Sequence, residues 1–171
     1  MMNIYIQELT VEDSQQYLAL RRESEIEYPQ YVGPSAEREI MAGEENIDSI
    51  LSSYPKEGTL IFGAFKDRKL MAVLAVSRRL SPKFLHRAFI WGMYVHKEHR
   101  RSNVGALLLK YVQDWASSHD EVKLLWLQVT DSNKPAISFY SKFGFETYGT
   151  EPMALFTQGE YHDVHYMQAM A

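Results

Sequence analysis

The stretch that decides the fold runs from Ile90 to Leu109 and reads I-W-G-M-Y-V-H-K-E-H-R-R-S-N-V-G-A-L-L-L. Its first six residues predict an apolar strand. From Asn103 onward the apolar residues recur at helical spacing, which predicts a helix to about Ser117. A short basic loop separates the two. This order places backbone N–H groups and the positive end of a helix dipole beside the loop, where they can bind a phosphate.

The loop carries residue types that suit a pyrophosphate. Arg100 and Arg101 bring two permanent positive charges to the start of the helix. Small residues in the first helical turn let a ligand approach the backbone. The polar and small residues concerned are Ser102, Asn103, Gly105 and Ala106. The same pattern also fits an ordinary helix N-terminus behind a solvated basic loop, and the residues alone leave both interpretations open.

A second segment, D-S-N-K-P-A-I-S-F-Y-S-K-F-G-F from Asp131 to Phe145, follows the next predicted strand. It predicts a short helix over Asn133–Phe143, with Pro135 in the first turn. Gly144 suits the left-handed position that ends a helix. Taken alone, Tyr140 also fits an aromatic core residue.

Together the two segments resemble the GNAT superfamily of N-acetyltransferases. The loop is similar to the acetyl-CoA loop of that family, Q/R-x-x-G-x-G/A, with Arg100 at the first position and Gly105 at the last. Asn103 stands where the family has glycine, and asparagine is the non-glycine residue that best tolerates a positive φ. The second segment matches the family block N-x-P-A-x-x-F-Y-x-K-x-G-F. The resemblance covers about Phe89 to Phe145.

The resemblance implies which residues meet acetyl-CoA. Asn133 contacts the pantetheine arm, and Tyr140 is the catalytic general acid beside the sulfur. The strand around Tyr94 and Val95 separates from its neighbour, often at a bulge, and offers backbone N–H groups to the thioester; a plain central strand fits these side chains equally well. The predicted cofactor-binding residues are Tyr94, Val95, Arg100, Arg101, Ser102, Asn103, Val104, Gly105, Ala106, Asn133, Ala136 and Lys142.

For the fold we expect an α+β, GNAT-like domain spanning residues 1–171, with a mixed central sheet of about seven strands and about four helices. The helix between Val95 and Lys123 crosses from one strand to the next, so those two strands are predicted to be parallel. The predicted strands are Ile4–Leu9, Thr59–Phe65, Leu70–Arg78, Phe84–Val95, Lys123–Val129, Phe145–Phe156 and Glu160–Met170.

Composition narrows the chemistry. The formal net charge of −4 argues against general nucleic-acid binding. The absence of cysteine excludes disulfides and an acyl-cysteine intermediate, so any group transfer is direct or uses another nucleophile. The family resemblance implies direct transfer. No apolar run reaches membrane-spanning length and the first residues do not resemble a signal peptide, so we expect a cytoplasmic protein that does not contact membranes. A homodimer is left open.

The base that deprotonates the acceptor amine is not evident. The family often has a glutamate in the strand before the loop, where this chain has Ile90, Trp91 and Met93. A water chain is one alternative, and the candidate side chains are Glu23, Glu25, Glu27, His86, His96 and His165. No metal is expected, because His162, Asp163 and His165 lack further clustered ligands.

Glutamates on the first two helices suggest either an acidic surface that attracts a cationic amine or simply solvated helix faces. They are Glu23, Glu25, Glu27, Glu37, Glu39, Glu44 and Glu45. The resemblance implies an acetyl-CoA-dependent N-acetyltransferase that acts on a primary amine of a small molecule or peptide. The alternative is a catalytically silent module of the same fold that binds an acyl-CoA or a partner protein.

Overall fold

The computed structural model describes residues 4–31 and 33–171. The strands are β1 (Ile4–Glu8), β2 (Thr59–Lys66), β3 (Lys69–Arg78), β4 (Arg87–Val95), β5 (Leu124–Thr130), β6 (Glu146–Thr157) and β7 (Glu160–Met170). The α-helices are α1 (Ser14–Glu27), α2 (Pro34–Ser53), α3 (Val104–Ser117) and α4 (Lys134–Lys142). Within these ranges, no helix combines the length and the apolar character needed to cross a membrane.

The seven strands form one sheet in the order β1-β2-β3-β4-β5-β7-β6. The β4–β5 pair is parallel and the other neighbouring pairs are antiparallel. The predicted α+β fold with a mixed seven-stranded sheet and four helices is therefore confirmed, and so is the parallel pair on either side of α3.

Local sequence signals explain several element ends. The Thr10 N–H donates to Asp13 Oδ2 over 3.0 Å, which starts a 3₁₀ turn that leads into α1. Gly43 adopts φ +67°, which glycine tolerates without strain, and kinks α2. Gly144 adopts φ +84° and follows the end of α4.

Helices cover both faces of the sheet, and each face has its own core. On one face α3 packs over the sheet through Leu108, Leu109 and Val112, all fully buried. On the other face α1 and α2 bury Tyr17 and Ile47 against the first strands. Apolar burial on both faces accounts for the almost continuous apolar sequence of β3, which lies near the middle of the sheet.

One predicted boundary was wrong. β4 begins at Arg87 and not at Phe84, because the preceding residues form successive turns. The Phe84 N–H donates to the Ser81 carbonyl over 2.8 Å, and the Arg87 N–H donates to the Phe84 carbonyl over 3.1 Å. These turn bonds use backbone groups that an extended strand would have paired across the sheet.

Candidate active site

The sheet opens between β4 and β5. Their parallel ladder runs from Arg87 opposite Leu124 to Ile90 opposite Leu127, so it includes the first four of the nine residues of β4. Residues 91–95 lie beyond the ladder. The edge of β4 that faces β5 is therefore not paired to β5 over the second half of the strand, and its backbone groups are available to a ligand.

A bulge marks the point where this opening begins. Ala75 of β3 pairs with Trp91, and Val73 pairs with Tyr94. β4 therefore contains one more residue than β3 between these two pairs, which defines a β-bulge. Gly92 adopts φ +63° inside the bulge, a conformation that other residues rarely adopt. The structure thus has the bulge that the family resemblance implies.

The register beyond the bulge directs the Val95 N–H toward β5. The His96 N–H donates to the Met71 carbonyl of β3 over 2.8 Å. Backbone N–H groups alternate between the two edges of a strand, so the preceding N–H, that of Val95, points to the opposite edge. This edge is the one from which β5 has separated.

The N-terminus of α3 is open. Its first backbone hydrogen bond joins the Leu107 N–H to the Asn103 carbonyl over 3.0 Å, so the N–H groups of Val104, Gly105 and Ala106 have no acceptor inside the helix. Asn103 is the N-cap residue, but its side chain does not cap the helix. It adopts φ +66°, the left-handed conformation expected where the family has glycine. Arg101 also has a positive φ, +62°, which the sequence did not indicate.

Gly105 brings the loop close to the bulged strand. A Cβ built at Gly105 would lie 3.2 Å from Met93 Cε, 3.3 Å from Val95 Cγ2 and 4.0 Å from Phe139 Cζ. The first turn of α3 therefore lies against the second half of β4 and one aromatic ring of α4. This packing brings three separate sequence segments into one place.

Tyr140 faces the same place from α4. Its hydroxyl donates to Met93 Sδ over 3.5 Å, which places the phenol beside the bulged half of β4. Burial raises the pKa of Tyr140 above the ordinary tyrosine value. The phenol is consequently protonated near neutral pH and has a proton to donate.

Asn133 and Lys142 lie at opposite ends of α4. Asn133 is the N-cap of the helix, and its Oδ1 accepts a hydrogen bond from the Ala136 N–H over 3.2 Å. This use of the carbonyl oxygen leaves the side-chain NH₂ to point elsewhere. Lys142 is exposed in the last turn, roughly 12 Å further along the helix axis.

The guanidinium of Arg100 is engaged by α1 and does not extend from the loop. It forms a two-armed ion pair with Glu27, in which Arg100 Nη1 lies 2.6 Å from Oε1, and its Nε donates to the Val95 carbonyl over 3.1 Å. The hydrogen bond from Arg100 lowers the pKa of Glu27 to about 2. Arg101, by contrast, is exposed.

Tyr94 completes this cluster. Its buried hydroxyl lies 2.8 Å from Glu23 Oε1 and 2.6 Å from Glu27 Oε2. Burial, followed by these carboxylate contacts, raises the pKa of Tyr94. The Tyr94 side chain therefore connects β4 to the end of α1. Only the backbone of Tyr94 remains at the edge of the strand.

The candidate bases are dispersed. Glu23 joins the Tyr94 cluster and also pairs with His96, whose Nε2 lies 3.2 Å from Glu23 Oε2. His86 immediately precedes β4, at the opposite end of the strand from Val95. His165 Nδ1 lies 2.8 Å from Thr150 Oγ1 on the neighbouring strand. Glu25 Oε2 is buried and has no hydrogen-bond partner among the described residues.

Glu39 is not part of an acidic surface. It is fully buried and pairs with Arg21 of α1, whose Nε lies 2.9 Å from Glu39 Oε2. One of the seven helix glutamates thus stabilises the interior. In residues 4–31 and 33–171 no three His, Asp or Glu side chains are grouped closely enough to hold a metal ion.

Three residues that contact the site were not among those predicted from the sequence. Met93, Phe139 and Arg21 contact the bulged strand or the loop beside it. A signal existed for the bulge, because Gly92 is an isolated glycine inside an apolar strand pattern. A signal also existed for Arg21, a charged residue on the apolar stripe of its helix with Tyr17.

Comparisons with known proteins identify the family of this chain. The model of the acetyltransferase (GNAT) family matches residues 17–145. L-amino acid N-acetyltransferase AaaT of Escherichia coli (strain K12) is 29% identical over 101 residues, which are 59% of this chain and 62% of that protein. N-alpha-acetyltransferase 60 of Drosophila melanogaster is 33% identical over 66 residues, which are 37% of this chain and 24% of that protein.

A solved structure extends the similarity to the whole fold. The acetyltransferase of the GNAT family from Streptococcus pneumoniae superposes with a TM-score of 0.84 at 19% identity and covers 99% of this chain and 100% of that one. This chain therefore belongs to the acetyltransferase (GNAT) family, as the two sequence segments predict. The matched regions span less than two thirds of each of the two curated relatives.

The left-handed conformation of Asn103 generates a first prediction. Asn103→Ala should lower the free energy of unfolding by about 1 kcal/mol, because alanine lacks the short polar side chain that lets asparagine tolerate this φ. Asn103→Gly is the matched control and should change stability by less. Urea unfolding of the three proteins measures the difference, and an alanine variant as stable as the parent would contradict it.

The Arg100–Glu27 pair generates a second prediction, in acid. Because the pKa of folded Glu27 is about 2 and that of an unfolded glutamate is about 4.3, the unfolded chain binds more protons between these values. The stability contributed by Glu27 is therefore present above about pH 4.3 and is lost as the pH falls toward 2. Glu27→Gln should lose less stability than the parent between pH 5 and pH 3.

Urea unfolding at the two pH values measures this loss. Glu44→Gln is the control, because Glu44 forms an exposed surface pair with Arg22. It should follow the parent. Equal losses for Glu27→Gln and the parent would show that the pair does not hold the carboxylate ionised.

Proposed function

We propose that this protein is an N-acetyltransferase that moves an acetyl group directly from acetyl-CoA to a primary amine of a small molecule or peptide. The observation that carries the proposal is the convergence of three features: the open N-terminus of α3, the unpaired edge of β4, and the Tyr140 hydroxyl. Membership of the acetyltransferase (GNAT) family supports acyl transfer as the reaction class.

The pyrophosphate of CoA fits the start of α3. N–H groups without helical acceptors and the positive end of the helix dipole favour an anion there. In our proposal Ser102, Asn103, Val104, Gly105 and Ala106 contribute backbone, and Arg101 adds an exposed positive charge. Arg100 contributes through its backbone, because its side chain is paired with Glu27. Asn133 and Ala136 lie on the pantetheine side, and Lys142 lies further along α4.

The chemical step follows from the same geometry. The neutral amine attacks the thioester carbonyl, and negative charge develops on the carbonyl oxygen. A donor held in place before the reaction stabilises that charge, and we assign this role to the Val95 N–H. The carbon–sulfur bond then breaks, and Tyr140 gives its proton to the departing thiolate. Tyr140 is protonated at neutral pH, like an ordinary tyrosine, so the proton is present.

Removal of the amine proton is assigned to water or to a carboxylate other than Glu27. A general base works best with a pKa near the working pH, and the pKa of Glu27 is about 2. Glu23 is a candidate by its position, because its carboxylate contacts both Tyr94 and His96 at the end of β4. A water chain ending at Glu23 is consistent with both observations.

The acceptor class is suggested by the names of the relatives. One relative is named for L-amino acids and the other for N-alpha-acetylation. Both names describe an α-amine, so amino acids and peptide N-termini are the first acceptors to test.

Release of the CoA thiol from acetyl-CoA, followed with a thiol-reactive dye, tests the proposal. The chain contains no cysteine, so its own reaction with the dye should be negligible. We expect thiol release that depends on the added amine. The panel should contain L-amino acids, short peptides with free and blocked N-termini, polyamines and aminoglycosides. Silence across the whole panel would contradict the proposal.

A second candidate is a silent binding module of the same fold. Two observations favour it: Asn103 replaces the loop glycine of the family, and β4 carries no carboxylate at Ile90, Trp91 or Met93. Such a module would bind acyl-CoA and show no amine-dependent release. Binding with no turnover would decide for this alternative.

Tyr140→Phe separates the two candidates. If Tyr140 is the general acid, kcat should fall by about 100-fold while the Kd for acetyl-CoA is unchanged, because the ring is kept and only the proton-donating hydroxyl is removed. Tyr111→Phe is the control, since Tyr111 is a partly exposed tyrosine on α3. Full turnover in Tyr140→Phe would remove Tyr140 from the mechanism.

A further inference from the structure

Arg21 is a buried charge in a network that joins α1 and α2. Its Nε donates to Glu39 Oε2 over 2.9 Å and to the Tyr17 hydroxyl over 3.0 Å. The hydroxyls of Tyr17 and Tyr54 both donate to Glu39, so the carboxylate has several hydrogen bonds. Arg21 is 2% exposed and Glu39 is 0% exposed. The guanidinium is hydrogen-bonded through Nε and Nη1, while Nη2 is buried and has no hydrogen-bond partner among the described residues. Removing one member of such a buried ion pair leaves the other charge unpaired, which is costly.

The same guanidinium reaches the bulge of β4. Arg21 Nη1 donates to the Gly92 carbonyl over 3.0 Å, and Arg21 Cζ lies 5.2 Å from the centre of the Trp91 ring. A Cβ at Gly92 would lie only 2.3 Å from Arg21 Nη2. Because the guanidinium is planar and rigid, its contact with Glu39 on one side fixes its contact with Gly92 on the other.

The bulge decides which edge each later N–H of β4 faces. One extra residue in a strand reverses the alternation of every residue that follows. With the bulge at Gly92, the His96 N–H pairs with β3 and the Val95 N–H points to the open edge. Whatever holds the bulge in place therefore also holds the Val95 N–H in place.

We propose that Arg21 is a positioning residue for acyl transfer, which clamps the Gly92 bulge and thereby aims the Val95 N–H at the thioester carbonyl. This inference rests on the function proposed above. It differs from a purely structural role, because loss of the clamp should misplace one hydrogen-bond donor more than it loosens the fold.

The test compares Arg21→Lys with Tyr54→Phe. Lysine keeps the charge beside Glu39 but lacks the rigid fork that reaches both Glu39 and Gly92. Tyr54→Phe removes one hydrogen bond to the same carboxylate and leaves the Arg21–Gly92 contact intact. We expect kcat to fall about 10- to 100-fold in Arg21→Lys, with an unchanged KM for acetyl-CoA, and to remain near the parent value in Tyr54→Phe. Thermal unfolding midpoints record how much each variant loosens the fold.

A second readout does not depend on turnover. The infrared carbonyl band of acetyl-CoA labelled with ¹³C at the thioester carbonyl should move to lower wavenumber on binding, because the Val95 N–H polarises the bond. The shift should be retained in Tyr54→Phe and reduced in Arg21→Lys. A loss of stability alone would not produce this difference while the ligand is fully bound.

If Arg21→Lys does not fold, the double variant R21Q/E39Q removes both charges together and avoids an unpaired buried charge. The same loss of kcat and of the carbonyl shift is expected. An active parent whose Arg21 variants match Tyr54→Phe in both readouts would overturn the positioning role alone. A parent with neither acetyl transfer nor a carbonyl shift would overturn the proposed function and, with it, this inference.

Discussion

The end of the β4–β5 ladder at Ile90 is the constraint on which the rest of the site depends. Two parallel strands that separate inside a sheet leave backbone donors and acceptors unpaired, and such groups are costly when no ligand or water satisfies them. In this protein the separation lies beside the bulge at Gly92. Gly105 in the first turn of α3 and the Tyr140 hydroxyl lie beside the unpaired half of β4.

The loop before α3 adds backbone strain next to this opening. Arg101 and Asn103 both adopt positive φ, which residues other than glycine rarely do. The first N–H groups of α3 lack helical acceptors, as at any helix N-terminus, and here the Asn103 side chain does not cap them. Strained backbone and open donors next to each other are typical of ligand sites, because the surrounding structure must maintain them against simpler local alternatives.

The elements of the fold could be predicted from local patterns. The helical spacing from Asn103 to Ser117 and the helix end at Gly144 both depend on residues close in the chain, and the structure agrees with each. The strand expected to begin at Phe84 is the exception. There a run of apolar and basic residues has strand-like composition but forms turns instead.

The ion pairs between distant side chains at the site could not be predicted in the same way. Arg100 pairs with Glu27, 73 residues earlier, and Glu39 pairs with Arg21 across two helices. Nothing in the local sequence distinguishes these glutamates from the exposed Glu44. Their partners are set by how α1 and α2 pack on the sheet, which is a property of the whole fold. The family resemblance located the loop and Tyr140, whereas it carried no information about the side chains behind β4.

The central claim is that the open edge of β4 and the N-terminus of α3 form one acyl-CoA site. Titration of the ¹⁵N-labelled protein with acetyl-CoA, followed through its backbone amide resonances, tests it most directly. We predict that the largest shifts fall on Val95, Val104, Gly105 and Ala106, with amides at the far end of the sheet, such as Leu124, unchanged. Shifts confined to other regions, or no shifts at saturating acetyl-CoA, would contradict the account.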